Sequence, residues 1–405
     1  MMTLGVLALQ LVTIVVGAGG AHPSLAAAVA GAAAGDTIVV QAGVYREPAP
    51  IVISKSLHLI GRPGAILDGG GTHEILVLTA DNIEVRGLVL RNTGFSYHED
   101  RAAIHVAGGN GCRIEQNTLQ DTFFAIYLAS SSGCTIRGNV IRGNGSVREA
   151  ATGNGIHLWS SREVTVAGNR ISGHRDGIYL EFTHCADVRD NLSERNNRYG
   201  LHFMYSDSSQ YRDNTFRGNG SGVAVMYTRE VLMEGNRFEA NRGSASYGLL
   251  LKEVQHPTLR RNTFWQNTTG LLADGADGLR AEGNRFEGNG WGIRLLGSTL
   301  DGRFSGNAFA TNWFDVGVNG AGGGVVFTGN WWDSYRGWDL DGDGVGDVPH
   351  HPVRLFGMLV DRAPSALLLQ RSLFVRLVDA AERAFPVLTP TAVTDPNPLM
   401  RPVVG

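Results

Sequence analysis

At 405 residues the chain is long enough for two or three ordinary domains, unless it is a repeat array. Apolar residues make up 43% and charged residues only 18%, which suits one long continuous core. A net charge of −3 with no run of Lys and Arg excludes a nucleic-acid partner, and 55 glycines without a Gly-X-Y period signal many tight turns rather than collagen.

Residues 3–18, TLGVLALQLVTIVVGA, are uncharged and lead into Gly19-Gly20-Ala21. An apolar run followed by small residues has the form of a secretory signal, so residues 1–21 are expected to be a signal or leader that directs export. No Lys or Arg precedes the run, and it falls short of the roughly 20 residues of a membrane span. Residues 24–30 are expected to form a short amphipathic helix that covers the open end of the fold, and residues 35–40 and 43–45 to open its first coil.

A repeat of about 22 residues then dominates. One asparagine recurs near the end of successive short strands: Asn117, Asn139, Asn169, Asn191, Asn214, Asn236, Asn262, Asn284, Asn307 and Asn330. Longer gaps after Asn139 and Asn236 mark loop insertions. A second asparagine follows five residues later, at Asn144, Asn196, Asn219, Asn241, Asn267, Asn289 and Asn312. Between them runs a Gly-apolar-x-apolar strand, as in Gly155-Ile156-His157-Leu158, Gly177-Ile178-Tyr179-Leu180, Gly200-Leu201-His202-Phe203 and Gly222-Val223-Ala224-Val225. Period-2 alternation without helical spacing means strands, and three short strands with their turns use one repeat length. The expectation is an all-β chain: a right-handed parallel β-helix of about a dozen coils over residues 22–335. Asparagines at equal positions would stack as ladders and tolerate left-handed turns. Cys112, Cys134 and Cys185 lack CxxC spacing, are too few for a disulfide framework, and read as small buried side chains.

The coils should stop near Asn330-Trp331-Trp332-Asp333. In the acidic stretch 336–357, Asp339, Asp341, Asp343 and Asp347 stand at positions 1, 3, 5 and 9 of an EF-hand-like loop, with Gly344 at position 6. They could hold a structural calcium, although His350 replaces the bidentate Glu of position 12; the alternative is an acidic surface turn. Residues 358–405 read as an amphipathic helix with a wide apolar face, ended by Pro386, and a proline-rich tail. This segment either packs back as a cap or docks on a membrane partner.

The chain resembles the NosD family, periplasmic β-helix accessory proteins of nitrous oxide reductase maturation. The resemblance covers nearly the whole length, and its most specific parts are Gly200-Leu201-His202-Phe203-Met204-Tyr205-Ser206, Val223-Ala224-Val225-Met226-Tyr227, Trp338-Asp339-Leu340-Asp341-Gly342-Asp343-Gly344, Ala384-Phe385-Pro386-Val387-Leu388-Thr389-Pro390 and Pro398-Leu399-Met400-Arg401-Pro402. It implies a non-enzymatic periplasmic protein that delivers copper to the apo nitrous oxide reductase. The implied partners are an ABC transporter permease and ATPase and a copper-chaperone lipoprotein, which would hold the protein at the inner membrane. The uncharged leader departs from the family pattern.

One face of the expected coils could carry chemistry. In each Gly-apolar-x-apolar-y strand the apolar pair faces the core, so x and y face outward. Reading x gives His105, Tyr127, His157, Tyr179, His202, Ala224, Leu250, Leu272 and Arg294; reading y gives Ala107, Ala129, Trp159, Glu181, Met204, Met226, Lys252, Asp274 and Leu296. Met204 and Met226 should then lie about 4.8 Å apart, exposed, with His202 about 7 Å along the strand. Thioether and imidazole suit Cu(I), which makes His202, Met204, Met226 and His157 the candidate transient copper ligands. The same side chains could instead form an apolar docking face. Two rival classes are a carbohydrate-active β-helix enzyme (lyase, hydrolase or epimerase) and a structural surface protein. The enzyme needs paired acid and base groups, and the outward columns place no two carboxylates on neighbouring coils.

Overall fold

The computed structural model describes residues 12–20, 22–144, 151–319, 324–370, 372–385 and 393–402. The chain is an all-β parallel solenoid of about 13 turns, each turn giving one short strand to each of three parallel sheets, here A, B and C. Two compact units follow this plan, residues 1–170 and 171–405. Most of the insertion after Asn139, at 145–150, and the 386–390 part of the tail motif lie outside the described residues.

In the first unit the cap helix α1 spans Leu25–Gly31 and starts where the Ser24 hydroxyl accepts the Ala27 amide. Its Leu25, Ala28 and Val29 are buried, and the Lys55 ammonium donates to the carbonyls of Val29, Ala30 and Ala32 at the helix end. Thr13–Val16, inside the stretch read as a leader, is a strand here. It pairs in parallel with Thr37–Val40, its Val16 is fully buried, and Asp36 accepts the Val12 amide. Cleavage after Ala21 would strip this strand and bare the edge of Thr37–Val40. A β-branched apolar run has the composition of both a signal and a buried strand, so periodicity does not separate them.

The asparagine ladder has a definite bonding plan. Asn139 Oδ1 accepts both the backbone amide and the side-chain amide of Asn117, at 2.9 and 3.2 Å, while its Nδ2 donates to the Ile114 carbonyl at 2.9 Å. Each buried amide is thus satisfied while joining consecutive turns. Gln116, Gly138 and Gly168, one residue before Asn117, Asn139 and Asn169, are left-handed, with φ between 53° and 64°.

The second unit repeats the plan from Asn191 through Asn214, Asn236, Asn262, Asn284 and Asn307 to Asn330. A parallel ladder runs from Asn196 to Asn312. Asn144, read as a rung of this second series, is exposed. Inside the coils Phe216, Phe238, Phe264, Phe286, Phe309 and Trp332 stack at 4.1–5.7 Å between ring centroids. The recurrent strand glycine is needed for close approach: a Cβ on Gly222 would lie 2.2 Å from the Gly248 carbonyl oxygen of the next turn.

The tail closes this unit. Asp395, fully buried, stands where the next asparagine of the ladder would be, and its Oδ2 accepts the Asn330 amide, Asn330 Nδ2 and Trp332 Nε1 at 3.0–3.1 Å. Its backbone pairs with that of His350. Burial pushes the His350 imidazole down to about 4, although the Asp395 charge opposes that shift. The folded chain therefore holds His350 neutral. Its contribution is complete above the unfolded value of about 6.5 and drains away as pH falls towards 4, by roughly 3 kcal/mol. Thermal unfolding followed from pH 7 to pH 4 should show this loss, and His350→Phe should flatten it; an unchanged slope in the variant would remove His350 as the cause.

The single amphipathic helix expected near the C-terminus is instead three pieces: α2 (Leu355–Arg362), a 3₁₀ segment (Pro364–Leu369) and α3 (Leu373–Ala384). Pro364 cannot continue the preceding helix, which ends at Arg362. Helix α2 lies on the outward side of sheet C, where Phe356 and Val360 join Trp291 and Phe314 in one cluster with Ala366 and Val375. The Arg294 guanidinium donates to Asp361 at 2.6 Å. Among the described residues no helix is long and apolar enough to cross a membrane.

Candidate metal and docking face

In the second unit, strands Asp176–Glu181, Tyr199–Met204, Ser221–Arg229 and Tyr247–Gln255 of sheet C bring the outward columns into register. Tyr179 pairs with His202, His202 with Ala224 and Ala224 with Leu250; Glu181 pairs with Met204, Met204 with Met226 and Met226 with Lys252. Leu201 and Phe203 point inward and are fully buried. Met204 and Met226 are therefore neighbours one turn apart, at the roughly 4.8 Å spacing of adjacent strands.

Exposure differs from the expectation. His202 is only 4% exposed, Ala224 and Leu250 are buried, and the two methionines are half-buried. Tyr199 and Tyr247 fold over the face, their hydroxyls 3.2 Å apart, and pack with Ala224, Leu250, Met226 and Leu272. The strand period states which way a side chain leaves the sheet but not what lies above it.

Under this roof His202 stacks on Tyr179 with centroids 4.7 Å apart and leans on Tyr199 at 4.9 Å. Neither ring nitrogen makes a hydrogen bond among the described residues. Nδ1 lies 3.5 Å from Oδ2 of Asp176, a carboxylate with no side-chain exposure that also lies 3.9 Å from the guanidinium groups of Arg175 and Arg198. The Tyr179 hydroxyl donates to the Met204 sulfur at 3.7 Å, and burial holds that phenol above its ordinary range. The arrangement thus offers two thioethers, one imidazole with unengaged nitrogens and a carboxylate placed to orient it. Soft donors of this kind match Cu(I), and a carboxylate behind a histidine is the usual means of fixing the ring. Beside them Phe182, Tyr205 and Tyr227 form an exposed stack at 5.2 and 5.3 Å, a feature that the alternation did not single out because it sits on left-handed turn positions.

His157 belongs to the first unit, where its ring lies tilted 4.8 Å from Tyr127, which in turn stacks 4.8 Å from His105. His105 Nδ1 is 3.0 Å from the Glu74 carboxylate. His157 is buried beside Phe124, while Trp159 of the same strand is exposed.

The acidic loop gathers Asp339, Asp341 and Asp343, with one oxygen from each within 4.8 Å of the others. Asp339 accepts the amides of Gly342 and Gly344, Asp341 that of Asp343, and Asp343 that of Val345. Asp347 accepts the Leu340 amide and lies outside that trio. His350 turns its ring to Trp332 and Tyr335.

A family model described as NosD, periplasmic copper-binding protein, matches residues 31–150 and 142–337. A protein of Pseudomonas aeruginosa named as a probable ABC transporter binding protein NosD is 36% identical over 376 residues, covering 86% of this chain and 85% of that one. A protein of the same name from Stutzerimonas stutzeri is 28% identical, covering 89% and 86%. Among solved structures, the Agl-KA catalytic domain aligns with TM-score 0.58 at 11% identity, covering 75% of this chain and 64% of that one. A mannuronic acid specific family 6 polysaccharide lyase from human gut microbiota aligns at 0.55 and 15% identity, covering 75% and 83%. At such identities these structures share the fold alone.

Proposed function

Because the chain belongs to the NosD family of periplasmic copper-binding proteins, we propose that it works outside the cytoplasm beside an ABC transporter as a non-catalytic carrier that passes copper to the apo nitrous oxide reductase. The observation that supports this reading is the in-register pair Met204 and Met226 next to His202, with the Asp176 carboxylate 3.5 Å from the imidazole and the Tyr179 hydroxyl bonded to the Met204 sulfur. Copper here is cargo. A donor set of thioethers and one imidazole binds Cu(I) without a strong thiolate ligand, which suits release to a partner. A copper-chaperone lipoprotein is the proposed source, and the transporter the proposed link to the inner membrane. Calcium at Asp339, Asp341 and Asp343 would be structural, bracing the turn that precedes the tail.

The second reading, a docking face without ligation, is favoured by the exposed stack of Phe182, Tyr205 and Tyr227. Met204→Leu with Met226→Leu separates the two, since leucine keeps the volume and apolar character at a cost under about 1.5 kcal/mol per site. Copper loading of the reductase and binding of the partners are measured together on the double variant. We expect loading to fall more than tenfold while partner binding stays within twofold. Normal loading would retire the copper site and leave the methionines as contact residues.

A further inference from the structure

Two of the three cysteines are brought together in the first unit by the register of the paired strands Arg113–Glu115 and Thr135–Arg137. Arg113 pairs with Thr135, so the preceding residues Cys112 and Cys134 stand one turn apart, and the Thr135 amide donates to the Cys112 carbonyl at 2.8 Å. Their side chains run the same way. The Cys112 thiol lies 3.7 Å from the Ala80 carbonyl one turn back, and the Cys134 thiol 3.5 Å from the Gly109 carbonyl one turn back. Both thiols are free in this structure and essentially fully buried, one turn apart in register. Gly109 leaves them room, since a Cβ there would lie 3.2 Å from the Cys112 sulfur. Cys185 is exposed and belongs to the second unit.

We infer that Cys112 and Cys134 close into a disulfide that staples two consecutive turns. In-register parallel strands hold Cα atoms about 4.8 Å apart, inside the roughly 4.4–6.8 Å range that a disulfide spans. The periplasm assigned to the family is an oxidising compartment in which such a pair forms and persists. The oxidant is a disulfide-bearing thiol oxidoreductase. The thiolate of one cysteine attacks that disulfide and expels a thiolate; the second cysteine attacks the mixed disulfide and releases the oxidoreductase as its dithiol. The chain loses two protons and two electrons, and the oxidoreductase gains them. Because the folded thiols are sealed from solvent, exchange takes place while the turns are stacking, and the finished bond is shielded from reductants. The staple also removes from a copper-handling chain two adjacent soft thiols that would outcompete thioether and imidazole for Cu(I).

The test uses the full chain isolated from the periplasm, alkylated in denaturant without reductant. Trypsin separates the two cysteines after Arg113, so an intact bond leaves the peptides 102–113 and 114–137 joined. The expected result is one alkylated cysteine, Cys185, the joined peptide pair and, before alkylation, an intact mass about 2 Da (two hydrogens) below that of the fully reduced chain. In a Cys185→Ser variant no thiol should react before reduction and two afterwards. Alkylation of all three cysteines in the unreduced native protein, with both peptides free, would overturn the inference.

Discussion

Replacing Asp395 with alanine is expected to be the most damaging single change in the second unit. The carboxylate is fully buried and receives the Asn330 amide, Asn330 Nδ2 and Trp332 Nε1 on one oxygen, and the amides of Gly329 and Asn397 on the other. Truncation leaves the Asn330 amide and Trp332 Nε1 buried without a partner and Asn330 Nδ2 with the Phe304 carbonyl alone, at about 1–3 kcal/mol for each lost bond. The loss is on the order of 3–6 kcal/mol, with the lower end reached if residues 393–402 lift away and water replaces the carboxylate. Asp395→Asn should cost less, about 1–3 kcal/mol, because its carbonyl can still receive the three donors while its Nδ2 loses the bonds from the Gly329 and Asn397 amides. Stability of a solenoid is nearly a sum over neighbouring turns, so the damage should appear first at the C-terminal turns. Hydrogen exchange of the amides of Asn330 to Trp332, with thermal unfolding, reads both effects. An alanine variant within 0.5 kcal/mol of the parent, by an approximate threshold for surface changes, would show that the tail does not close the ladder.

The second large effect concerns the C-terminal helices. Phe356 and Val360 of α2 are buried on sheet C, but Leu368 is 90% exposed, Leu373 is 71% exposed, and Phe374 and Leu377 are exposed beside them. Under the proposed function this surface meets the transporter permease. Changing Leu368, Leu373 and Leu377 together to Ser should leave folding nearly unchanged, because these side chains contribute little to the core of the isolated chain. It should weaken capture of the transporter by over a hundredfold, since burying even half of three leucines is worth on the order of 3 kcal/mol. Co-purification with the transporter from solubilised membranes, with unfolding curves on the same variant, checks this. Undiminished capture would move the docking surface elsewhere, whereas a destabilised variant would assign these leucines to the fold.

The ladders and the outward columns were legible in the sequence because both depend on period alone. A 22-residue repeat with asparagine at equal positions admits one stacking, and a two-residue alternation in each strand assigns every side chain to a face. That reasoning paired Met204 with Met226 and His202 with Tyr179, as the register of sheet C has them. It could not supply what lies over a face. Tyr199 and Tyr247 reach across the columns from strand starts two turns apart, and Asp176 meets His202 from the neighbouring turn.

The sequence by itself determined the all-β solenoid, its turn length, the amide ladders, the cap helix and the identity of the outward columns, because each of these is local or periodic. Only the tertiary structure decided that Thr13–Val16 pairs as a first strand, that His202 is buried, that Cys112 and Cys134 stand side by side on adjacent turns, and that Asp395 closes the ladder begun far upstream. The Asp395 contact joins residues 65 apart in sequence, and no repeat encodes it. An aspartate in a proline-rich tail has no period, and its role exists only once the last turn presents Asn330 and Trp332 with donors that no further turn will receive.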